Sequence, residues 1–380
     1  MKENYIVSAR KYRPSTFDDV IGQDHISQTL KNSIVNNHLA QSYLFTGPRG
    51  IGKTTCARIF AKALNCTNRK ENGEPCNECD SCKSFIAQRS LNIYELDAAS
   101  NNSVDDIRLL IDKVRFAPQS GKYKIYIIDE VHMLSAQAFN AFLKTLEEPP
   151  SYAVFILATT EKHKIIPTIL SRCQIFDFNR IQIPDIVQHL KHISEKENIE
   201  SEETALHIIA DKADGALRDA LSIFDRIVSF SGDKVTYDFV IDNLNIIDYE
   251  YYFKATNFIL ESDISQSLVL FDKIINLGFE GQNFLLGLSE HFRNLLVSQS
   301  QQTIQLLEIP DKVKVKYLEQ SKIINKSIII SALNILNQFI ISYKESKNQR
   351  LHTELAIIKL CHIKDAIDLS SVLKKKALRN

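Results

Sequence analysis

The chain reads Gly47-Pro48-Arg49-Gly50-Ile51-Gly52-Lys53-Thr54, which fits G-x-x-x-x-G-K-[ST]. The run YLFTG (43–47) before it is strand-like, and TTCARIFAKALN (54–65) after it is helix-like. A glycine-rich turn between a buried strand and a helix N-terminus aims backbone N–H groups at phosphate oxygens, helped by the helix dipole. Lys53 is expected to reach the β- and γ-phosphates, and the Thr54 hydroxyl to hold Mg²⁺. Gly47, Pro48, Arg49, Gly50, Ile51, Gly52, Lys53, Thr54 and Thr55 form the expected phosphate cradle.

Three more segments match the strand before the loop. NIYELDA (92–98), KIYIID (124–129) and YAVFILATT (152–160) are nearly continuous in β-branched and aromatic residues, as parallel strands buried on both faces require. Helical patterns separate them. In SAQAFNAFLKTLEE (135–148), Ala138, Phe142 and Leu146 share a face with Phe139 and Leu143, and Pro149-Pro150 ends the run. The β-α-β-α order predicts a doubly wound α/β domain over residues 1–180.

The strand KIYIID ends in Asp129-Glu130. Asp129 is expected to hold Mg²⁺ through water, and Glu130 to polarise an attacking water, so the pair predicts hydrolysis in addition to nucleotide binding. His132 reads as a surface or loop histidine.

The chain's 380 residues exceed what one hydrophobic core serves. Beyond about residue 181 strand signals nearly vanish. Residues 181–244 read as amphipathic helices with breaks near Pro184, Ser201 and Gly215, and 245–367 as a second helical region; the tail 368–380 reads as frayed. Forty-six basic residues balance 46 acidic ones, so any nucleic-acid contact is local or shared with partners. No run of about 18 apolar residues predicts a membrane span, and MKENYIVSARKYRP lacks the pattern of a secretory signal. A cytoplasmic chain with reduced thiols is the expectation.

Four of the seven cysteines, Cys66, Cys76, Cys79 and Cys82, crowd together. Four thiolates at this spacing can surround a tetrahedral Zn²⁺. An iron–sulfur centre also uses C-x-x-C-x-x-C, usually with a Cys-Pro nearby that this sequence lacks; plain reduced cysteines are the third reading. A closed four-sulfur site is structural, because it offers the metal no open position. Cys56, Cys173 and Cys361 are isolated.

Taken together, several motifs resemble the clamp-loader branch of the AAA+ ATPases. They are Tyr12-Arg13-Pro14 with Phe17-Asp18-Asp19-Val20-Ile21-Gly22-Gln23, the phosphate loop, Asp129-Glu130-Val131-His132, and Lys144-Thr-Leu-Glu-Glu-Pro-Pro150. Ala158-Thr-Thr160, Ser171-Arg172-Cys173 and Gly215-Ala-Leu-Arg218-Asp-Ala-Leu221 complete the set. The cysteine insertion (66–82) narrows the match: the chain is similar to the gamma/tau family of bacterial DNA polymerase III subunits, densely so over 1–230. The resemblance implies an AAA+ P-loop ATPase domain with a zinc module, a helical lid and an all-α collar for oligomerisation.

The resemblance also implies roles. Arg172 would enter a neighbouring subunit's ATP site as a trans-acting finger, Arg218 would contact ATP from the lid, and Thr160, with Thr159, would act as first sensor. Tyr12, Arg13 and Pro14, with Val20 and Ile21, would line the adenine side, and Arg108, at the helix start after Asn101, is a candidate DNA contact. The implied cofactors are ATP, Mg²⁺ and Zn²⁺. The implied partners are further gamma/tau copies, delta and delta-prime subunits, the beta sliding clamp and primer–template DNA. The expected activity is ATP hydrolysis that drives clamp loading in replication, with nucleotidyl transfer belonging to the polymerase complex. A DNA-translocating AAA+ helicase, such as a branch-migration motor, is the alternative, and the cysteine insertion and the Ser-Arg-Cys motif stand against it.

Overall fold

The computed structural model describes residues 7–118, 121–244, 246–307, 309 and 311–364. The tail 368–380 lies outside the described residues. The chain divides between Lys234 and Val235 into two compact units.

The first unit is built on a parallel sheet of β1 (Ser42–Thr46), β2 (Ile93–Asp97), β3 (Lys124–Asp129), β4 (Ala153–Thr159) and β5 (Gln174–Asp177), in the order β2-β3-β4-β1-β5. Successive side chains of a strand point to opposite faces, and here both faces are apolar. Tyr43, Phe45, Ile125, Ile127 and Ile156 face a core closed by the helices Asp24–Val35 and Lys53–Leu64. Leu44, Tyr126, Ile128, Phe155 and Leu157 face a second core closed by Val104–Val114 and Ala136–Glu147. Burying both faces explains the near-continuous apolar runs of β1, β3 and β4.

The pattern of β2 differs from the expectation. Only Ile93 is buried, and half-buried Tyr94 and Leu96 alternate with exposed Glu95 and Asp97, because β2 lies at the sheet edge, with β3 its one neighbour among the described residues. β5, at the other edge, was not anticipated: of its four residues only Phe176 is buried, so it carries no apolar run to read.

The helices Ile183–Glu197, Glu203–Lys212 and Leu217–Ser231 follow the sheet in this unit. Pro184 sits in the first turn of the first helix, where its missing N–H costs nothing. The amino-terminal arm is tied to these helices, for the Ser8 N–H donates to Asp225 Oδ2 at 2.7 Å and the Lys11 and Tyr12 side chains both reach Glu197.

The second unit is helical. Helices Tyr249–Leu260, Ile264–Asn276, Gly281–Ser298, Asp311–Ile323, Lys326–Ser342 and Gln349–Cys361 enclose one core around Phe271, Phe284, Leu288, Phe292 and Leu336. Tyr252 packs directly on Gly287, where a Cβ would stand 1.9 Å from its hydroxyl oxygen. His291 is buried within this core, with Nδ1 2.9 Å from the Tyr317 hydroxyl and Nε2 2.9 Å from Gln320 Oε1. No single helix among the described residues is long and apolar enough to cross a membrane.

Candidate functional site

Because the strands are parallel, the carboxyl ends of β1, β3 and β4 open on the same edge of the sheet, where ligands of such folds bind. β1 runs into the phosphate loop, and the helix Lys53–Leu64 starts at once behind it. Gly52, the N-cap, has φ of 106°, and Gly47 has φ of 141°. These values favour glycine, and a Cβ on Gly47 would stand 2.4 Å from the Phe178 carbonyl oxygen.

Lys53 is buried, and its Nζ donates to the Gly47 and Pro48 carbonyl oxygens at 2.7 and 2.6 Å. Burial pushes its ammonium down from the ordinary lysine value, while the Glu130 and Asp129 carboxylates pull it back up. Thr54 Oγ1 donates to Asp129 Oδ2 at 2.6 Å. A hydroxyl and a carboxylate this close are hard oxygen donors of the kind that hold Mg²⁺ together with water. Asp129 Oδ1 accepts the Glu130 N–H at 2.9 Å. Glu130 Oε2 accepts from both the Thr160 N–H, at 3.2 Å, and the Thr160 hydroxyl, at 3.0 Å.

These groups border a pocket of about 470 Å³, a size suited to a small ligand. Arg49 to Thr55, Asp129 and Glu130 form one wall, and Tyr12, Arg13, Pro14, Val20 and Ile21 form another. Arg13 Nε donates to Thr55 Oγ1 at 3.2 Å, and burial, with the Arg58 charge nearby, pushes the Arg13 guanidinium below its ordinary value. Arg218 reaches the pocket from the start of helix Leu217–Ser231, and its N–H donates to the Gly50 carbonyl at 3.2 Å.

Gly47, Pro48 and Thr160 are not among the lining residues; Gly47 and Pro48 hold Lys53 and Thr160 holds Glu130. Arg172 is not among the residues lining the pocket. Its Nη1 donates to the Thr168 carbonyl at 2.8 Å, and its Nη2 to Glu147 Oε1 at 2.9 Å. Arg108 is exposed beside Asp105, at 3.3 Å, on a helix capped by Ser103 and Asp106.

Sequence reasoning missed part of the wall. Ile181, Leu217 and Leu221 line the pocket; Leu217 and Leu221 belong to the Gly215–Leu221 motif but had no role assigned, and Ile181 carried no local signal. His132 sits in the loop after β3, as one half of its reading had it, but not on the surface. Its side chain is 6% exposed and is enclosed by Thr159, Glu130 and Glu161, because Glu130 turns the chain back (φ 47°) beneath the end of β4.

In the cysteine insertion, Cys66, Cys76, Cys79 and Cys82 place their sulfurs within 4.8 Å of one another. Cys66 Sγ lies 3.4 Å from Cys76 Sγ and 3.9 Å from Cys79 Sγ, and Cys76 Sγ lies 4.0 Å from Cys82 Sγ. A tetrahedron with Zn–S bonds of about 2.3 Å needs S···S separations of about 3.8 Å, so the donor set fits that ion. Backbone N–H groups also point at these sulfurs, among them those of Cys76, Glu78 and Cys79, as the outer shell of a thiolate site does. Cys56 and Cys361 are buried and Cys173 is half-buried.

Family models match this chain in three consecutive stretches. They describe the DNA polymerase III delta subunit over residues 22–182, the ATPase lid domain of the DNA polymerase III clamp loader subunit over 185–233, and domain III of DNA polymerase III subunits gamma and tau over 235–375. The DNA polymerase III subunit gamma of Buchnera aphidicola subsp. Baizongia pistaciae is 34% identical over 371 residues, covering 95% of this chain and 98% of that protein. The chain belongs to the gamma/tau family of DNA polymerase III subunits. The Bacillus subtilis subunit tau is 41% identical over 371 residues, and the Haemophilus influenzae subunit tau/gamma 47% identical over 248 residues. These alignments cover 97% and 65% of this chain, and the chain spans 66% and 36% of those two relatives' lengths. Among solved structures, the Thermotoga maritima RuvB Holliday junction branch migration motor overlays with a TM-score of 0.46 at 20% identity, over 66% of this chain and 80% of that one. So loose a likeness carries no weight for the branch-migration alternative.

Proposed function

We propose that this chain is an ATP-hydrolysing subunit of a DNA polymerase III clamp loader. Membership of the gamma/tau family and the pairing of Thr54 with Asp129 beside Glu130 support the reading; the pairing is the observation that carries it. ATP is the substrate, with its phosphates along the 47–55 loop and its base toward Tyr12, Arg13 and Pro14. Glu130 orients or deprotonates the water that attacks the γ-phosphorus, and Lys53 leaves its two loop carbonyls to meet the β- and γ-phosphates. Mg²⁺, held by Thr54 and Asp129, supplies charge neutralisation on the phosphates when bound. Thr160 reads the γ-phosphate, Arg218 contacts the nucleotide from the lid, and Arg172 completes the site of an adjacent subunit.

Residues 1–180 act as the ATPase domain, 181–244 as its lid and 245–367 as the collar that joins subunits. The cysteine module holds structural zinc. The partners are further gamma/tau copies, delta and delta-prime subunits, the sliding clamp and primer–template DNA, all in the cytoplasm.

The test is ATP-dependent loading of a labelled clamp onto primed DNA by the reconstituted complex. Loading that requires this chain and fails with Lys53→Ala is the expected result. Loading that proceeds unchanged with Lys53→Ala removes the motor role.

A further inference from the structure

We infer that His132 is a positioning residue that sets Thr160 against Glu130 and thereby fixes the carboxylate that orients the attacking water; the inference rests on the ATPase reading above. β3 ends at Asp129, and the turn at Glu130 leads into a short 3-10 turn, Val131–Met133, that carries the imidazole under the end of β4. There Nδ1 lies 3.0 Å from Thr159 Oγ1, and Nε2 lies 3.3 Å from Glu161 Oε1. Thr159 Oγ1 also accepts the Glu161 N–H at 3.0 Å. A carboxylate oxygen has no hydrogen to give, so the ring turns its Nε2–H toward Glu161, and the neutral imidazole then accepts the Thr159 hydroxyl proton at Nδ1.

His132 thus grips the residues on either side of Thr160. Thr160 in turn directs its N–H and its hydroxyl at one oxygen of Glu130, Oε2, which leaves Oε1 to orient a water. Nδ1 itself lies 3.5 Å from Oε2, beyond a normal hydrogen bond, so the ring acts on Glu130 through the 159–161 segment. A carboxylate held by one oxygen and working through the other tolerates little displacement, since an error of about 1 Å in such a group costs on the order of 10²-fold in rate.

The test compares wild type with His132→Ala, His132→Asn and His132→Gln in the assembled complex, measuring kcat and KM for ATP together with nucleotide affinity by a fluorescent ATP analogue. Asn places a polar atom near Nδ1 and keeps the Thr159 contact, and Gln reaches toward Glu161. The expected result is a kcat lower by about 10²-fold in His132→Ala, with KM and nucleotide affinity within about twofold of wild type and partial recovery of kcat in Asn or Gln. A His132→Ala kcat equal to wild type overturns the inference, as does a loss confined to KM. So does a failure of both Asn and Gln to exceed Ala, because the ring then only fills space. A wild-type complex that does not hydrolyse ATP overturns the reading beneath, and the inference falls with it.

Discussion

Arg172 and Glu147 form an ion pair on the protein surface, with Nη2 2.9 Å from Oε1 and the two side chains 34% and 48% exposed. The guanidinium is held in its own subunit by this carboxylate and by the Thr168 carbonyl, away from the lining of its own pocket. Exposed pairs contribute roughly 0–1 kcal/mol, so Glu147 is a resting partner that Arg172 can leave.

Glu147→Gln should therefore shift the melting temperature of the chain by less than about 3 °C. Differential scanning calorimetry checks this, and a larger drop would make the pair a structural lock.

Thr54→Ala and Asp129→Asn each remove one side of the 2.6 Å contact at the loop. Both should weaken ATP binding in the presence of Mg²⁺ by about tenfold or more, while affinity in excess EDTA changes by less than about twofold. Calorimetric titration with and without chelator separates the two effects, and equal losses in both conditions would assign the pair to packing.

The cysteine module is joined to the pocket through Glu74. This buried carboxylate accepts the N–H groups of Phe17 and Asp18 at 2.9 and 3.1 Å, in the arm that continues to the pocket residues Val20 and Ile21. Cys76→Ser should lose the roughly one zinc per chain expected of a four-thiolate site, lower the melting temperature and weaken nucleotide binding together. Elemental analysis of the purified chain checks the first point, and wild type without zinc contradicts it.

His291 gives the second unit a pH dependence. Burial pushes its imidazole down from 6.5 to about 4, against a smaller opposing effect of the Gln320 hydrogen bond. The unfolded chain takes up this proton at higher pH than the folded one, so the contribution is complete above about pH 6.5 and lost as the pH falls toward 4. The loss is at most on the order of 3 kcal/mol. Denaturant titrations at pH 7.5 and 5 should show a steeper loss for wild type than for His291→Gln; parallel losses contradict the assignment.

The parts of the fold that follow from local chemistry are legible in the sequence. β1, β3 and β4 read as strands because burial on both faces forces continuous apolar runs, and the phosphate loop because its glycines and Lys53 are adjacent in the chain. β5 was not legible, since a short edge strand with only Phe176 buried carries no periodic signal. That His132 lies in a loop was legible, but not that its side chain is enclosed, since this depends on the left-handed turn at Glu130, which brings it under a strand distant in sequence. Arg172 and Arg218 stood out only through the family resemblance, for an arginine's role in a shared or folded-over site leaves no mark on its neighbours.

The shared-site motor is tested by steady-state ATP hydrolysis by this chain, alone and with delta, delta-prime, clamp and primed DNA, for wild type, Lys53→Ala and Arg172→Ala. Strong stimulation is expected only in the full assembly, abolished by both substitutions, with Arg172→Ala leaving ATP binding by the isolated chain unchanged. Equal hydrolysis by the chain alone, indifferent to Arg172→Ala, would contradict the shared-site motor and make the site self-contained.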